Sequence, residues 1–97
     1  MSQFRLTHAA KNDLKNIANY TKEQWGIDQR NTYLQLIDTQ FNKIALNPKI
    51  GKPCEYIKPG YRKASAGSHI IFYTCEPSGL VNIIRILHKH SDVDAKF

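Results

Sequence analysis

The chain has 97 residues and a formal net charge of +6, with 41% hydrophobic and 23% charged side chains. That length fits one domain and leaves no room for two, and the composition excludes disorder and low complexity. Its apolar runs, such as Ile70-Ile71-Phe72-Tyr73, fall well short of the roughly 18 residues a membrane span needs. The opening Met1-Ser2-Gln3-Phe4-Arg5-Leu6-Thr7 also lacks the apolar core of a secretion signal, so a soluble, cytoplasmic protein is expected. Cys54 and Cys75 show no CxxC spacing and are read as free thiols in a reducing compartment.

Phe4-Arg5-Leu6-Thr7 alternates and predicts a short first strand. Leu14, Ile17, Ala18, Thr21 and Trp25 then recur at helical steps, with Asp13, Lys15, Asn16, Asn19, Lys22 and Glu23 on the opposite face. Thr7 suits the N-cap of this helix and Gly26 its end. Tyr33, Leu34, Ile37, Phe41, Ile44 and Ala45 predict a second helix, with Asp28 near its positive end and Asn47-Pro48 as its stop. A joint of one or two residues requires the helices to fold back as an antiparallel hairpin. Trp25, Phe41 and Phe72 are most simply core residues.

Residues 49–60, with two glycines and two prolines, read as a loop carrying a short extended piece at Cys54-Glu55-Tyr56-Ile57. Three strands follow at Tyr61–Ala66, His69–Cys75 and Leu80–His88, separated by Gly67-Ser68 and Glu76-Pro77-Ser78-Gly79, and form an antiparallel meander. The last two are apolar on both parities, which places them centrally in a sheet. The expected fold is α+β: a short strand, a helix hairpin, and a small antiparallel sheet on which the hairpin packs.

The charge is uneven. Residues 1–48 carry a net of +2, whereas residues 49–90 carry +5, which favours a polyanion or an acidic partner protein. Arg85 interrupts the apolar run Val81–Leu87 and is read on the parity of Ile83 and Leu87. A guanidinium there either pairs with Glu55, Glu76 or an aspartate, or aims a fixed cation at phosphate or carboxylate. Arg62 and Lys63 open a strand on opposite faces, and the hairpin turn brings His69 and His88 near each other. Arg62, Arg85 and the two histidines are thus expected near one end of the sheet. His88 and His90 have strand spacing, but two ligands without a third do not make a zinc site, and no cofactor motif stands out. These features fit a small ribonuclease, a nucleic-acid binder or a protein-binding module.

The order of several short motifs narrows this. Leu6-Thr7, Ala10, Asp13-Leu14, Ile17, Tyr20-Thr21 and Trp25-Gly26 are followed by Gln29, Tyr33-Leu34, Asn47-Pro48 and Gly51. Gly60-Tyr61-Arg62-Lys63, Gly67-Ser68-His69, Ile71-Phe72-Tyr73, Arg85-Ile86-Leu87-His88 and Asp92 complete the series. In this order they resemble the ParE toxins of bacterial type II toxin–antitoxin systems, within the ParE/RelE superfamily, except that Ser91 stands where the family usually has Met. The resemblance implies a growth inhibitor that poisons DNA gyrase without catalysis and is neutralised by a ParD-type antitoxin through an acidic, amphipathic segment. It assigns no residues to antitoxin binding and leaves direct nucleic-acid contact open. The expected target-binding surface is Arg62, Lys63, Arg85, His88 and Lys89. The rival, a RelE-like messenger ribonuclease, would draw on Arg62, Arg85, His88 and His90, with Lys52 and Glu55 in the preceding loop as the remaining acid–base candidates.

Overall fold

The computed structural model describes residues 3–97. Strand β1 (Phe4–Leu6) leads into helices α1 (His8–Trp25) and α2 (Ile27–Leu46). Thr7 caps α1 with its hydroxyl, which accepts from the Ala10 amide at 3.1 Å and donates to the Ile84 carbonyl at 2.8 Å. One side chain thus starts a helix and ties it to a strand distant in sequence. Gly26 is the whole joint between the helices, and its φ of 92° is open to glycine at little strain. Ala10, Ile17 and Thr21 of α1 are buried, as are Ile37, Phe41, Ile44 and Ala45 of α2, following the helical periodicity. Trp25 departs from expectation: the last residue of α1, it is 71% exposed rather than part of the core.

After a short 3-10 turn at Pro48–Ile50 come β2 (Lys52–Pro53), β3 (Arg62–Ala66), β4 (His69–Cys75) and β5 (Val81–His88), then a short helix α3 (Val93–Lys96). The extended piece lies earlier than the sequence suggests. Beyond Pro53 the chain turns, with Cys54 N–H bonded to Tyr61 O and Ile57 N–H to Cys54 O, so residues 55–57 form no strand. The sheet order is β1-β5-β4-β3-β2. The meander β3–β4–β5 is antiparallel as read, and β2 extends it, but β1 joins β5 in parallel, making the sheet mixed.

A bulge in β5 corrects the assigned faces. Phe72 pairs with Arg85 while the next residue, Tyr73, pairs with Ile83, leaving Ile84 as the surplus residue. Ile83 and Ile86 therefore both join the core under the helices, beside Ile37, Phe41, Ile44, Ile71 and Tyr73. Leu87 falls on the other face with Cys54 and Phe72, covered in part by Val93 and Phe97. Arg85 consequently does not share a face with Ile83. Both cysteines are free, and among the described residues no helix is long and apolar enough to cross a membrane.

Candidate functional site

Arg85 is held by an aspartate, and that aspartate is Asp13 of α1. Its Nε donates to Asp13 Oδ2 at 2.7 Å and its Nη2 to Oδ1 at 2.8 Å, a fork-to-fork pair that strengthens the guanidinium's hold on its proton. Asp13 Oδ2 also accepts from the Ile86 amide at 3.0 Å, on the stretch of β5 past the end of β1. A helix side chain thereby completes an otherwise open sheet edge. Arg85 further donates to the Lys96 carbonyl at 3.3 Å. The other acids considered for Arg85 are engaged elsewhere: Glu55 accepts from Gly60 N–H, and Glu76 pairs with Arg5 at 3.1 Å and accepts from Asn82.

The remaining cations are spread rather than gathered. Arg62 and Lys63 do take opposite faces. Arg62 donates to the Gly51 carbonyl at 2.7 Å, beside the Tyr73 hydroxyl that bonds Pro48 O and Gly51 N–H. Lys63 lies in the cross-strand row Lys52–Lys63–Phe72–Arg85, and its Nζ donates to Tyr56 Oη at 3.0 Å. Lys63 and Arg85 thus share the face away from the hairpin, two strand spacings or about 10 Å apart. Arg62 stands opposite Tyr73 whereas His88 stands opposite His69, near the two ends of β4 and about 13 Å apart along it. The expected single cluster at one sheet end is therefore not formed. The cause is the antiparallel turn at Gly67-Ser68, which sends the start of β3 to the far end of β4.

His69 and His88 do meet, as cross-strand partners with ring centroids 5.3 Å apart, and His90 lies 5.3 Å from His88. Tyr33 of α2, which the sequence marks only as a helix-face residue, organises this end. Its hydroxyl accepts from Ser68 N–H at 2.9 Å and lies 2.6 Å from His69 Nδ1. The Ala66 carbonyl, another acceptor for this hydroxyl, is 3.4 Å away, and the direction of the Tyr33–His69 bond follows the imidazole tautomer. Burial, assisted by the His88 ring, holds the His69 pKa below the ordinary 6.5. A cleft of about 330 Å³ opens here between the hairpin and the sheet end, lined by Tyr20, Trp25, Gln29 and Tyr33 with the two histidines. Among the described residues no group of three or more His, Cys, Asp or Glu could hold a metal ion.

The histidine carries a stability prediction. Below pH 6.5 the unfolded chain binds a proton at His69 that the folded chain resists, so stability falls as pH drops from 6.5 to the lower folded value. Urea midpoints measured from pH 7.5 to 5.5 should decline more steeply for the native chain than for His69→Gln; equal slopes would remove His69 from the titration.

The architecture is shared with chains of two solved toxin–antitoxin assemblies. One is the chromosomal ParDE system from P. aeruginosa, with a TM-score of 0.76 and 19% identity over 91% of this chain and 96% of that one. The other is the RelBE2 toxin–antitoxin complex from Mycobacterium tuberculosis, with a TM-score of 0.65 and 20% identity over 91% and 98%. The fold is thus one found in toxin–antitoxin complexes. Residues 4–93 match the model of the ParE toxin of the type II toxin–antitoxin system parDE. Toxin ParE1 of Mycobacterium tuberculosis is 42% identical over 93 residues, covering 96% of this chain and 95% of that protein. Toxin ParE1 of Caulobacter vibrioides is 36% identical over 95 residues, covering 98% and 97%. The chain belongs to the ParE toxin family of type II toxin–antitoxin systems.

Proposed function

We propose that this toxin acts in the cytoplasm by binding and poisoning DNA gyrase, without bond-making chemistry of its own, and that a ParD-type antitoxin neutralises it. The observation that carries the non-catalytic reading is the commitment of its candidate catalytic groups. Arg85 is locked onto Asp13, Arg62 onto the Gly51 carbonyl, and His88 stands at the opposite end of the sheet from Arg62. A ribonuclease acting through the RNA's own 2′-hydroxyl needs a base, an acid and a cation converging on one phosphate. Here Lys52 and Glu55 do not converge with the histidines either: Lys52 pairs with Lys63 in the strand row, and Glu55 holds the loop at Gly60. The target surface we assign comprises Lys63 and Arg85 on the sheet face away from the hairpin, with Arg62 and His88 on the opposite face near the two ends of the sheet and Lys89 following His88. The net of +5 over residues 49–90 supports an acidic partner.

Two assays on one preparation test this. Purified toxin should abolish gyrase supercoiling and leave ribosome-bound messenger intact. Cleaved messenger with unaffected supercoiling would reverse the assignment in favour of the RelE-like ribonuclease.

A further inference from the structure

Three lysines gather at the outer edge of β3, away from the histidine cleft. Strand β2 covers only the start of that edge, pairing Pro53 with Arg62 and Lys52 with Lys63, so the edge has no strand partner beyond Lys63. A cleft of about 640 Å³ opens there against the C-terminal part of α2, lined by Gln40, Lys43, Lys52, Lys63 and Ser65 with apolar residues between them. Among the described residues, none that lines it is acidic. Lys52 and Lys63 are direct cross-strand partners, and like charges set opposite each other destabilise a sheet. The fold thus keeps at this edge a positive charge that a bound anion would offset. Beside it stands Tyr56, 70% exposed, whose hydroxyl accepts from Lys63 Nζ at 3.0 Å while its ring centroid lies 5.5 Å from that nitrogen. An open aromatic ring tied to one of a group of lysines is a stacking surface next to a phosphate track.

We propose that this cleft binds single-stranded nucleic acid, with backbone phosphates on Lys43, Lys52 and Lys63 and one unstacked base laid on Tyr56. Ammonium groups act as point charges that follow a phosphodiester backbone without reading its sequence, so the contact is sequence-tolerant and salt-sensitive. Ser65 and Gln40 add uncharged donors along the same wall. A duplex fits less well, because its bases are stacked inward and leave nothing to lay on Tyr56. An acidic peptide would meet the same lysines, but its carboxylates give Tyr56 no part in the contact. No histidine and no acid lines the cleft, so no acid–base pair meets the bound phosphates, and the strand is held rather than cut. This goes beyond the target reading above: Lys63 alone is common to both, and Lys43, Lys52 and Tyr56 lie outside the assigned target surface.

The test is fluorescence anisotropy of a labelled oligothymidylate, about 12 nucleotides long, with the full-length toxin between about 50 and 200 mM salt. The logarithm of affinity should fall against the logarithm of salt with a slope of about −2, from three lysines at about 0.7 each. Lys43→Gln/Lys52→Gln, at two exposed positions, should bring that slope to about −0.7. Lys11→Gln/Lys15→Gln, which removes the same charge from exposed positions of α1, should leave it at about −2. Tyr56→Ala should weaken binding about fivefold or more with the slope unchanged, whereas Tyr56→Phe, which keeps the ring, should bind as the native chain does. Equal effects of the two lysine pairs would mean diffuse attraction to a basic protein and would overturn the inference. So would a duplex bound as tightly as the single strand, an affinity indifferent to Tyr56→Ala, or no binding at the lowest salt. A Lys43→Gln/Lys52→Gln variant that loses affinity for the antitoxin but not for the oligonucleotide would give the cleft to an acidic peptide instead. None of these readouts involves gyrase, so the target reading stands or falls on its own assays.

Discussion

Asp13→Ala should destabilise the toxin more than Arg85→Ala does, although the two residues form one ion pair. Asp13 is 11% exposed and Arg85 22%, so the pair is largely shielded, and removing the acid leaves a guanidinium without its counter-charge. Orphaning one member of a buried pair costs about 3–5 kcal/mol, and the lower end suits a site that water reaches at one edge. The same substitution strips the Ile86 amide of its acceptor. Arg85→Ala leaves Asp13 still bonded to Ile86 N–H, and the loss should be nearer about 1.5–3 kcal/mol, the range for hydrogen bonds to charged groups. Urea unfolding of both variants reads the difference. Equal losses would mean that the Ile86 contact contributes nothing. The comparison also bears on toxicity, because a target-binding role for Arg85 can be credited only from a variant whose fold survives.

The second large effect is expected at Tyr73→Phe. The Tyr73 ring is fully buried in the main core, and its hydroxyl donates to Pro48 O at 2.5 Å and accepts from the buried Gly51 N–H at 2.9 Å. Losing that one oxygen strands two backbone groups, at about 1–3 kcal/mol for each that stays unsatisfied. A combined loss of about 2–3 kcal/mol corresponds to a fall in Tm of about 10–20 °C in a chain of this size. Gly51 is required for this close approach, since a side-chain carbon there would fall on the Tyr73 hydroxyl and within 2.8 Å of the Lys63 carbonyl. Arg62, which donates to Gly51 O, should loosen with it. A Tm within a few degrees of the native value would show that the 48–51 turn is held by other means.

The helices and the meander were legible because period and punctuation agree in them. Thr7, Gly26 and Asn47-Pro48 bound stretches whose apolar steps match a helix, and Gly67-Ser68 leaves one short way to join two strands. Trp25 shares the apolar face of α1 yet is exposed, because a helical step says which face a residue shares but not how closely its neighbours pack on it. The faces of β5 were misread for a related reason. Strict alternation assigns every residue a side, and nothing in Ile83-Ile84-Arg85 announces a surplus residue. Asp13 was visible as a polar helix residue, and the need of Arg85 for an aspartate pointed toward it. Choosing it over other acids required knowing that β1 stops at Leu6 and exposes the edge that α1 then covers. The cleft was hidden in the same way: Tyr20, Trp25, Tyr33, His69 and His88 come from four elements that only the folded chain brings together.

The parallel pairing of Phe4 with Val81 and Leu6 with Ile83 sets an order of assembly. While the chain is being synthesised, its first strand has no partner until nearly all of the polypeptide has been made. The hairpin can form early, but its sheet and the Thr7 bond to Ile84 close only at the end. An interrupted translation product lacking β5 also lacks the partner of Asp13 and one wall of the histidine cleft. Such a fragment keeps Arg62 and Lys63 of the proposed target surface but lacks Arg85, His88 and Lys89.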